Sequence, residues 1–310
     1  MHDVALFTSQ LFLQPGAYHE LYEELPELRD RLAAAGSVLG TDLAAALLGT
    51  DEALLNQGTV ARPIIVAMSL ALYGQRPAPH RAPGLLSGLS LGQITAACAA
   101  GMMSFRDAIR MCAYMARIEE DRFGTTTYGT YFFHDIDLRT LEGMLADVAD
   151  EGHTLHPCAV TADRQMIVTG DFPGLERLAR DVARHDPRAL GLKVPYSPPA
   201  HCALMADVGR RMRAEWTYLD PVGDPRTPLI CNLSAELLRT SAEVHDALVD
   251  QYIRPVQWAD VVRRAAGEGS RALLLPGPGH FIAKSLPSTT GADFSRVDQL
   301  LGADAAAVAR

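Results

Sequence analysis

The sequence predicts a mixed α/β protein in which a large domain with a parallel sheet carries a smaller inserted α+β domain. Short apolar runs alternate with helical patterns towards both ends of the chain, and residues 123–196 have a different, strand-rich pattern. A strand, a tight turn and a helix are also predicted in succession over residues 84–100. Alternating strands and helices are typical of a parallel sheet covered by helices. The 310 residues are enough for one large domain or two unequal ones.

Residues 1–122 predict one buried strand followed mainly by helices. Val4–Phe7 is a short apolar run, which is typical of a buried strand. Leucines at helical spacing over 20–35 predict a helix that Pro26 interrupts. Further helices are predicted over 42–48, 64–72 and 105–120.

Residues 123–196 predict the order β-α-β-β-α-β. The predicted strands are 124–133, 159–160, 165–170 and 189–194, and the predicted helices are 138–151 and 172–185. This order is that of a ferredoxin-like unit. We therefore assign 123–196 to a small ferredoxin-like domain, and 1–122 with 197–310 to the large catalytic domain.

The chain after residue 197 predicts a return to the large domain. Helices are expected over 203–216, 242–251 and 258–267, and strands over 229–231 and 272–275. We expect 272–275 to be the last buried strand, because Pro276, Gly277, Pro278 and Gly279 follow it.

Composition excludes several classes of protein. The formal net charge of −9 lacks the basic footprint of a nucleic-acid-binding protein. The five cysteines are scattered and form no C-x-x-C pair, so we expect no metal site and no disulfide framework. No apolar run is long enough to span a membrane and no signal peptide is evident, so a cytoplasmic protein is expected.

Ser90 lies between Gly88 and Gly92 in the pattern G-x-S-x-G. A serine between a strand and a helix in this pattern is typical of the nucleophile elbow of an α/β-hydrolase-like domain. Glycines without a Cβ allow the strand and the helix to approach closely. The hydroxyl would lie at a helix N-terminus, where backbone N–H groups can stabilise an oxyanion. The alternative is a buried serine in a structural turn.

Further stretches accompany this motif in a fixed order. They are Ser104-Phe105, His201–Met205, Pro228–Asn232 with Gln251, Pro255–Trp258 and Gly277–Gly279. Together with Gly88–Gly92 they resemble the malonyl-CoA:acyl-carrier-protein transacylase family, which includes the acyltransferase domains of polyketide synthases. The resemblance covers nearly the whole chain.

The resemblance implies acyl transfer through a Ser–His dyad without a carboxylate that orients the histidine. It implies Ser90 as the nucleophile and His201 as the base. A backbone carbonyl near Gln251 is expected to orient the imidazole, although Gln251 could equally be an ordinary polar residue at a helix end. The implied oxyanion hole consists of the backbone N–H groups of Leu91 and Gln10.

The departures from the family pattern concern the acyl pocket. The family arginine that pairs with a malonyl carboxylate corresponds to Met115, and the family histidine before the serine corresponds to Leu89. Leu11 stands in the loop after the first strand, and Ala200 precedes His201 in a stretch that matches no family signature. A buried malonyl carboxylate without a cation would cost several kcal/mol. Arg117 lies about 200° around the helix from Met115 and would not substitute for the arginine; the alternative is a register error of one turn.

These residues predict an acyltransferase that moves a non-carboxylated acyl group between carrier-protein thioesters through an acyl-Ser90 intermediate. The setting would be polyketide, antibiotic or related secondary-metabolite biosynthesis. No bound cofactor is expected, since the acyl group arrives on the phosphopantetheine of a carrier protein or on CoA. If water is the acceptor, the enzyme is instead an acyl-carrier-protein hydrolase, an editing thioesterase. Two further alternatives are a lapsed enzyme that only binds a carrier protein, and a plain α/β-hydrolase esterase with an acidic triad member.

The expected partner is an acidic acyl carrier protein, or the carrier domain of a polyketide synthase. Cations near the site would then contribute to docking. The candidates are Arg184, Arg188, Lys193, Arg210 and Arg211. Their alternative role is that of solvated residues on helix faces.

Overall fold

The computed structural model describes residues 2–76, 82–125, 128–195, 198–267, 270–289 and 297–300. The domain boundary predicted at 196–197 and the last ten residues lie outside this part of the chain. The strands are β1 (His2–Phe7), β2 (Leu85–Gly88), β3 (Tyr128–His134), β4 (Leu155–Ala162), β5 (Gln165–Asp171), β6 (Leu190–Val194), β7 (Leu229–Ile230), β8 (Leu237–Leu238), β9 (Val256–Gln257), β10 (Ser270–Pro276) and β11 (Val297–Leu300). The helices are α1 (His19–Glu24), α2 (Pro26–Leu39), α3 (Leu43–Leu48), α4 (Glu52–Leu55), α5 (Gly58–Gly74), α6 (Leu91–Ala99), α7 (Phe105–Phe123), α8 (Leu138–Asp150), α9 (Phe172–His185), α10 (Ala206–Glu215), α11 (Ser241–Asp250), α12 (Trp258–Gly267) and α13 (Phe281–Ser285).

The main sheet contains six strands in the order β11-β10-β1-β2-β7-β8. All neighbours are parallel except the last pair, β7 and β8. Val4–Phe7 of β1 are fully buried, which is expected where helices cover both faces of a parallel sheet. Phe7 pairs with Gly88, so the carboxyl ends of the central strands β1 and β2 lie side by side. The carboxyl ends of parallel strands are where α/β proteins commonly place their sites.

The second sheet has five strands in the order β6-β3-β5-β4-β9. Its first four strands are antiparallel and, with α8 and α9, follow the predicted ferredoxin-like order. A separate core beneath them includes Phe133, Leu141, Val168 and Leu175. The two sheets and their helical cover confirm the predicted fold class. The fifth strand, β9, comes from much later in the chain and pairs with β4 in parallel.

One predicted helix began too late, and one strand near the end of the chain was not predicted. Helix α5 begins at Gly58 rather than at residue 64, with Pro63 inside it. Burial of almost the whole helix outweighs the hydrogen bond that proline removes. Residues 272–275 lie within β10, as predicted, and Leu273–Leu275 are buried. A strand that was not predicted, β11, follows it and pairs with β10 in parallel. Its short sequence, Val297–Leu300, lies at a sheet edge and has no strong strand pattern.

Within the described residues, no helix combines the length and the apolar character needed to cross a membrane.

We predict that Gly88→Ala destabilises the protein strongly, because an added Cβ would overlap the backbone carbonyl group of Gly92. The free energy of unfolding in urea should fall by about 3 kcal/mol, the upper range for overpacked sites. Gly143→Ala is the matched control, since a Cβ in that part of α8 meets no atom within 4 Å. It should raise stability by about 0.5–1 kcal/mol, the usual helix preference for alanine over glycine. Equal effects of the two substitutions would contradict this packing argument.

Candidate active site

Ser90 occupies a strained turn between β2 and α6. Its φ is +55°, a conformation that residues with a Cβ rarely adopt. The two flanking glycines make room for this turn: a Cβ on Gly88 would overlap Gly92, and one on Gly92 would overlap the carbonyl oxygen of Phe7. Backbone strain of this kind is typical of functional sites, where the surrounding structure maintains it.

His201 lies beside Ser90 although 111 residues separate them in the chain. The Ser90 Oγ and the His201 Nε2 are 2.7 Å apart, and the other ring nitrogen, Nδ1, donates to the carbonyl oxygen of Gln251 at 2.5 Å. A carbonyl only accepts, so this contact places the ring hydrogen on Nδ1 and leaves Nε2 to accept the serine proton. His201 also has a positive φ of +53°. The arrangement can therefore activate a serine hydroxyl without an acidic third residue.

The pKa of His201 lies below its ordinary value of 6.5, chiefly because the packing around the ring disfavours the charged imidazolium. The hydrogen bond to Gln251 and the Glu119 carboxylate raise the pKa, and the Arg62 guanidinium lowers it. The net direction keeps the imidazole neutral at pH 7, the form that acts as a base.

The Gln251 carbonyl is fixed by a neighbour whose role the sequence analysis missed. Asn232, fully buried after β7, donates its side-chain amide to the Gln251 Oε1 at 3.1 Å. Gln251 itself is 1% exposed and ends α11. The side chain of Gln251 is thus used for anchoring, while its backbone carbonyl orients His201. Asn232 appeared in the sequence only as part of a motif, which gave no indication of this contact.

The two predicted oxyanion donors lie just after the carboxyl ends of β1 and β2. Leu91 is the first residue of α6, where backbone N–H groups have no partner within the helix. Gln10 lies in the loop after β1, and its side-chain Oε1 accepts a hydrogen bond from the Arg62 Nε at 2.7 Å. Gly277 and Gly279 pack closely behind this loop, where a Cβ would press on Thr8 and Leu11 respectively.

A cavity of about 580 Å³ opens over the Ser–His pair. Its volume lies within the range of small-molecule sites, which commonly measure about 300–1,000 Å³. The predicted acyl-pocket residues all line it. These are Leu11, Leu89, Met115 and Ala200, together with Ser90, His201, Gln10, Leu91 and Gln251.

The cavity is less apolar than the sequence predicted, because Arg62 and Glu119 also line it. The two Nη atoms of Arg62 contact the two carboxylate oxygens of Glu119, with one contact at 3.1 Å, and both side chains are 5% exposed. This pair was not predicted from the sequence, where only Arg117 was weighed as a substitute for the family arginine. A single arginine within the otherwise apolar run of α5 was the available signal.

Four of the predicted docking cations lie outside the cavity lining and are paired with acidic side chains. Arg184 binds Asp181, Arg188 binds Asp186, Arg210 binds Asp207, and Arg211 binds Asp121 and Glu215. Lys193 differs, since it lines the cavity with its ammonium 4.4 Å from the centre of the Phe172 ring. It therefore becomes the strongest of the five candidates. In the described part of the chain, no cluster of histidine, cysteine or acidic residues could hold a metal ion.

Known proteins similar to this chain have the same overall architecture. No protein-family model matches the chain. The malonyl CoA-acyl carrier protein transacylase of Salmonella typhimurium is 28% identical over 276 residues, which cover 88% of each chain. The chain is therefore a homologue of malonyl CoA-acyl carrier protein transacylases. The resemblance predicted from the sequence blocks is thereby confirmed.

Two other kinds of relative extend this comparison. The polyketide biosynthesis protein ThaF of Burkholderia thailandensis is 26% identical over 309 residues, which cover 98% of this chain but 26% of ThaF. Among solved structures, the malonyl-CoA:acyl carrier protein transacylase of Xanthomonas oryzae has a TM-score of 0.86 at 25% identity, covering 99% of this chain and 97% of that one. A malonyl-transacylase solved with its type II polyketide synthase acyl-carrier protein has a TM-score of 0.84 at 23% identity, covering 99% and 98%. This last likeness is one of fold.

We predict that labelling of Ser90 by a fluorophosphonate loses rate only below pH 6.5. His201 must be neutral to accept the Ser90 proton. Burial lowers the pKa of His201 below 6.5, so the imidazole becomes protonated, and labelling slows, only at a pH below that value. The measurement is the labelling rate constant between pH 4.5 and 9, with Ser90→Ala as the unlabelled control. A midpoint above pH 6.5 would contradict the desolvated site.

Proposed function

We propose that this protein is an acyltransferase that moves a non-carboxylated acyl group between carrier-protein thioesters through an acyl-Ser90 intermediate. The observation that carries the proposal is the continuous hydrogen-bond chain from the Ser90 Oγ through His201 to the Gln251 carbonyl, at the base of a large cavity. The homologous transacylases support acyl transfer as the reaction class. ThaF, a polyketide biosynthesis protein, supports a role in polyketide or related metabolism.

The first half of the reaction forms an ester on the serine. The Ser90 oxygen attacks the thioester carbonyl as its proton passes to the His201 Nε2. The backbone N–H groups of Leu91 and Gln10 would stabilise the tetrahedral oxyanion. The C–S bond then breaks, and the leaving thiolate takes the proton from His201. Acyl-Ser90 and a free thiol result, and the second half reverses these steps with another thiol as the acceptor.

The character of the cavity near Ser90 supports an acyl group without a carboxylate. Met115 and Leu89 are 8% and 2% exposed, and both contribute apolar surface to the cavity. The family resemblance implies an arginine and a histidine at these two positions. A thioether cannot form the bidentate, charge-assisted hydrogen bonds by which arginine holds a carboxylate. A carboxylate buried against these two residues would lose its hydration without compensation.

Intact-mass analysis tests this function directly. The protein is incubated with acetyl-, malonyl- and longer acyl-phosphopantetheine carrier proteins, and the acyl adduct on Ser90 is quantified. We expect acetyl or longer adducts on the wild-type chain and none on Ser90→Ala, with thermal denaturation as the check that the variant is folded. A stable malonyl adduct would contradict the proposed acyl class, and turnover by Ser90→Ala would contradict the serine mechanism.

The same experiment separates transfer from hydrolysis. An adduct that persists in buffer and disappears when a second holo-carrier protein is added indicates a transferase. An adduct that decays in buffer without that acceptor indicates the hydrolase alternative, in which water attacks the Ser90 ester. Both outcomes share the Ser90 and His201 chemistry, so only the acceptor differs.

The carrier protein would approach at the cavity mouth formed by β6. Leu192 is 48% exposed, Lys193 is exposed beside it, and both line the cavity. An exposed apolar residue next to a cation suits the surface of an acidic carrier protein. The relative solved with its acyl-carrier protein supports this kind of partner.

We predict that Lys193→Glu lowers kcat/KM for an acyl-carrier-protein substrate by about fivefold, as expected for one partly exposed charge contact. The loss should shrink at high salt, because salt screens exposed charges. Arg188→Glu is the matched control, since Arg188 lies outside the cavity lining and is paired with Asp186. A similar loss in both variants would assign the effect to overall charge and would contradict docking at β6.

A further inference from the structure

The Arg62–Glu119 pair is a buried ion pair within the cavity that holds the Ser–His dyad. Its two side chains come from neighbouring helices, α5 and α7, and each is 5% exposed. The helices approach closely there, since a Cβ on Gly58 would lie 3.0 Å from the Ala116 Cβ. The geometry is a two-point contact of a guanidinium with a carboxylate. This two-point geometry is the one in which arginine binds carboxylates most strongly.

The pair lies close to where an acyl group on Ser90 would extend. Arg62 donates from Nε to the side chain of Gln10, the loop residue assigned to the oxyanion hole. Glu119 follows Met115 by four residues on α7, so the two side chains lie one above the other on the same helix face. Both also line the cavity. Arg62, the cation that α5 contributes to the cavity lining, is therefore one whose charge a carboxylate already balances.

Stability gives no sufficient reason for this pair. The desolvation of two buried charges largely offsets their attraction, and an apolar pair of the same volume is often as stable. Removing one partner, however, leaves the other charge in the cavity wall. The pair therefore affects the charge that this part of the cavity lining presents to a ligand.

We propose that Glu119 determines acyl specificity by balancing the Arg62 guanidinium, so that the cavity accepts neutral acyl groups and rejects carboxylated ones. This inference rests on the proposed acyl-transfer function. With Glu119 present, an acyl carboxylate meets a like charge and an arginine already bound in two-point geometry. Without Glu119, the same arginine could hold the carboxylate of a malonyl-type group.

The test is Glu119→Met, which replaces the carboxylate by an apolar side chain of similar length. The readout is the ratio of malonyl to acetyl adduct on Ser90 by intact mass, with the two carrier proteins in equal amounts. We expect the ratio to rise by about tenfold or more, the range of one charge-assisted hydrogen bond. Arg62→Met/Glu119→Met removes both charges and should return the ratio to the wild-type level. Glu142→Met, an exposed position on α8 outside the cavity lining, is the control for a lost glutamate.

The outcomes separate this inference from the proposed function. A Glu119→Met protein that loads acetyl but keeps the wild-type malonyl ratio would overturn the role of Glu119 and leave the acyltransferase intact. A rise in the double variant as large as in the single one would also overturn it, because Arg62 would not be needed. Malonyl loading by the wild-type chain would contradict the proposed acyl class instead. If Glu119→Met does not fold, Glu119→Gln keeps the side-chain shape without the charge, and the same ratio decides.

Discussion

The left-handed backbone of Ser90 is the constraint on which the rest of the site depends. It turns the chain from β2 directly into α6, and it requires that strand and helix nearly touch. Gly88 and Gly92 meet that requirement because neither has a Cβ to occupy the contact. The turn raises the hydroxyl above the sheet edge and places it at a helix N-terminus. One backbone conformation thus determines both the direction of the Ser90 hydroxyl and the position of the Leu91 N–H, the proposed oxyanion donor.

The histidine side of the site is held by contacts that are not local in the chain. His201 receives its orientation from a backbone carbonyl at the end of α11, and Asn232 after β7 fixes the side chain of that same Gln251. A carbonyl oxygen accepts the ring hydrogen without being ionised. The orientation of the His201 ring therefore does not change with pH, as it would if a carboxylate accepted that hydrogen. The pKa of the imidazole stays lowered because burial outweighs the Gln251 hydrogen bond and the Glu119 carboxylate, both of which raise it.

The sequence predicted what local pattern and motif order encode. The turn at Ser90, the order of elements in the ferredoxin-like sheet and the break between helices at Pro26 follow from apolar spacing, glycines and proline. The start of α5 did not follow, since burial of the whole helix overrode the signal of Pro63. The parallel addition of β9 and the Arg62–Glu119 contact are pairings between distant segments. No single-sequence pattern specifies which buried charge finds which partner.

The charges of the cavity wall connect the fold to specificity. On α7, Met115 contributes no charge at the position where the family resemblance implies an arginine, while Glu119 one turn later carries a negative charge. On α5, Arg62 supplies a positive charge, which Glu119 balances. The pair therefore includes an arginine and yet carries no net charge. Without an arginine at Met115, as the proposed acyl class assumes, a carboxylate would gain no charge-assisted hydrogen bond there. The pair adds a reason why another arginine does not take over its role, because its two-point geometry is already occupied by a carboxylate of the protein itself.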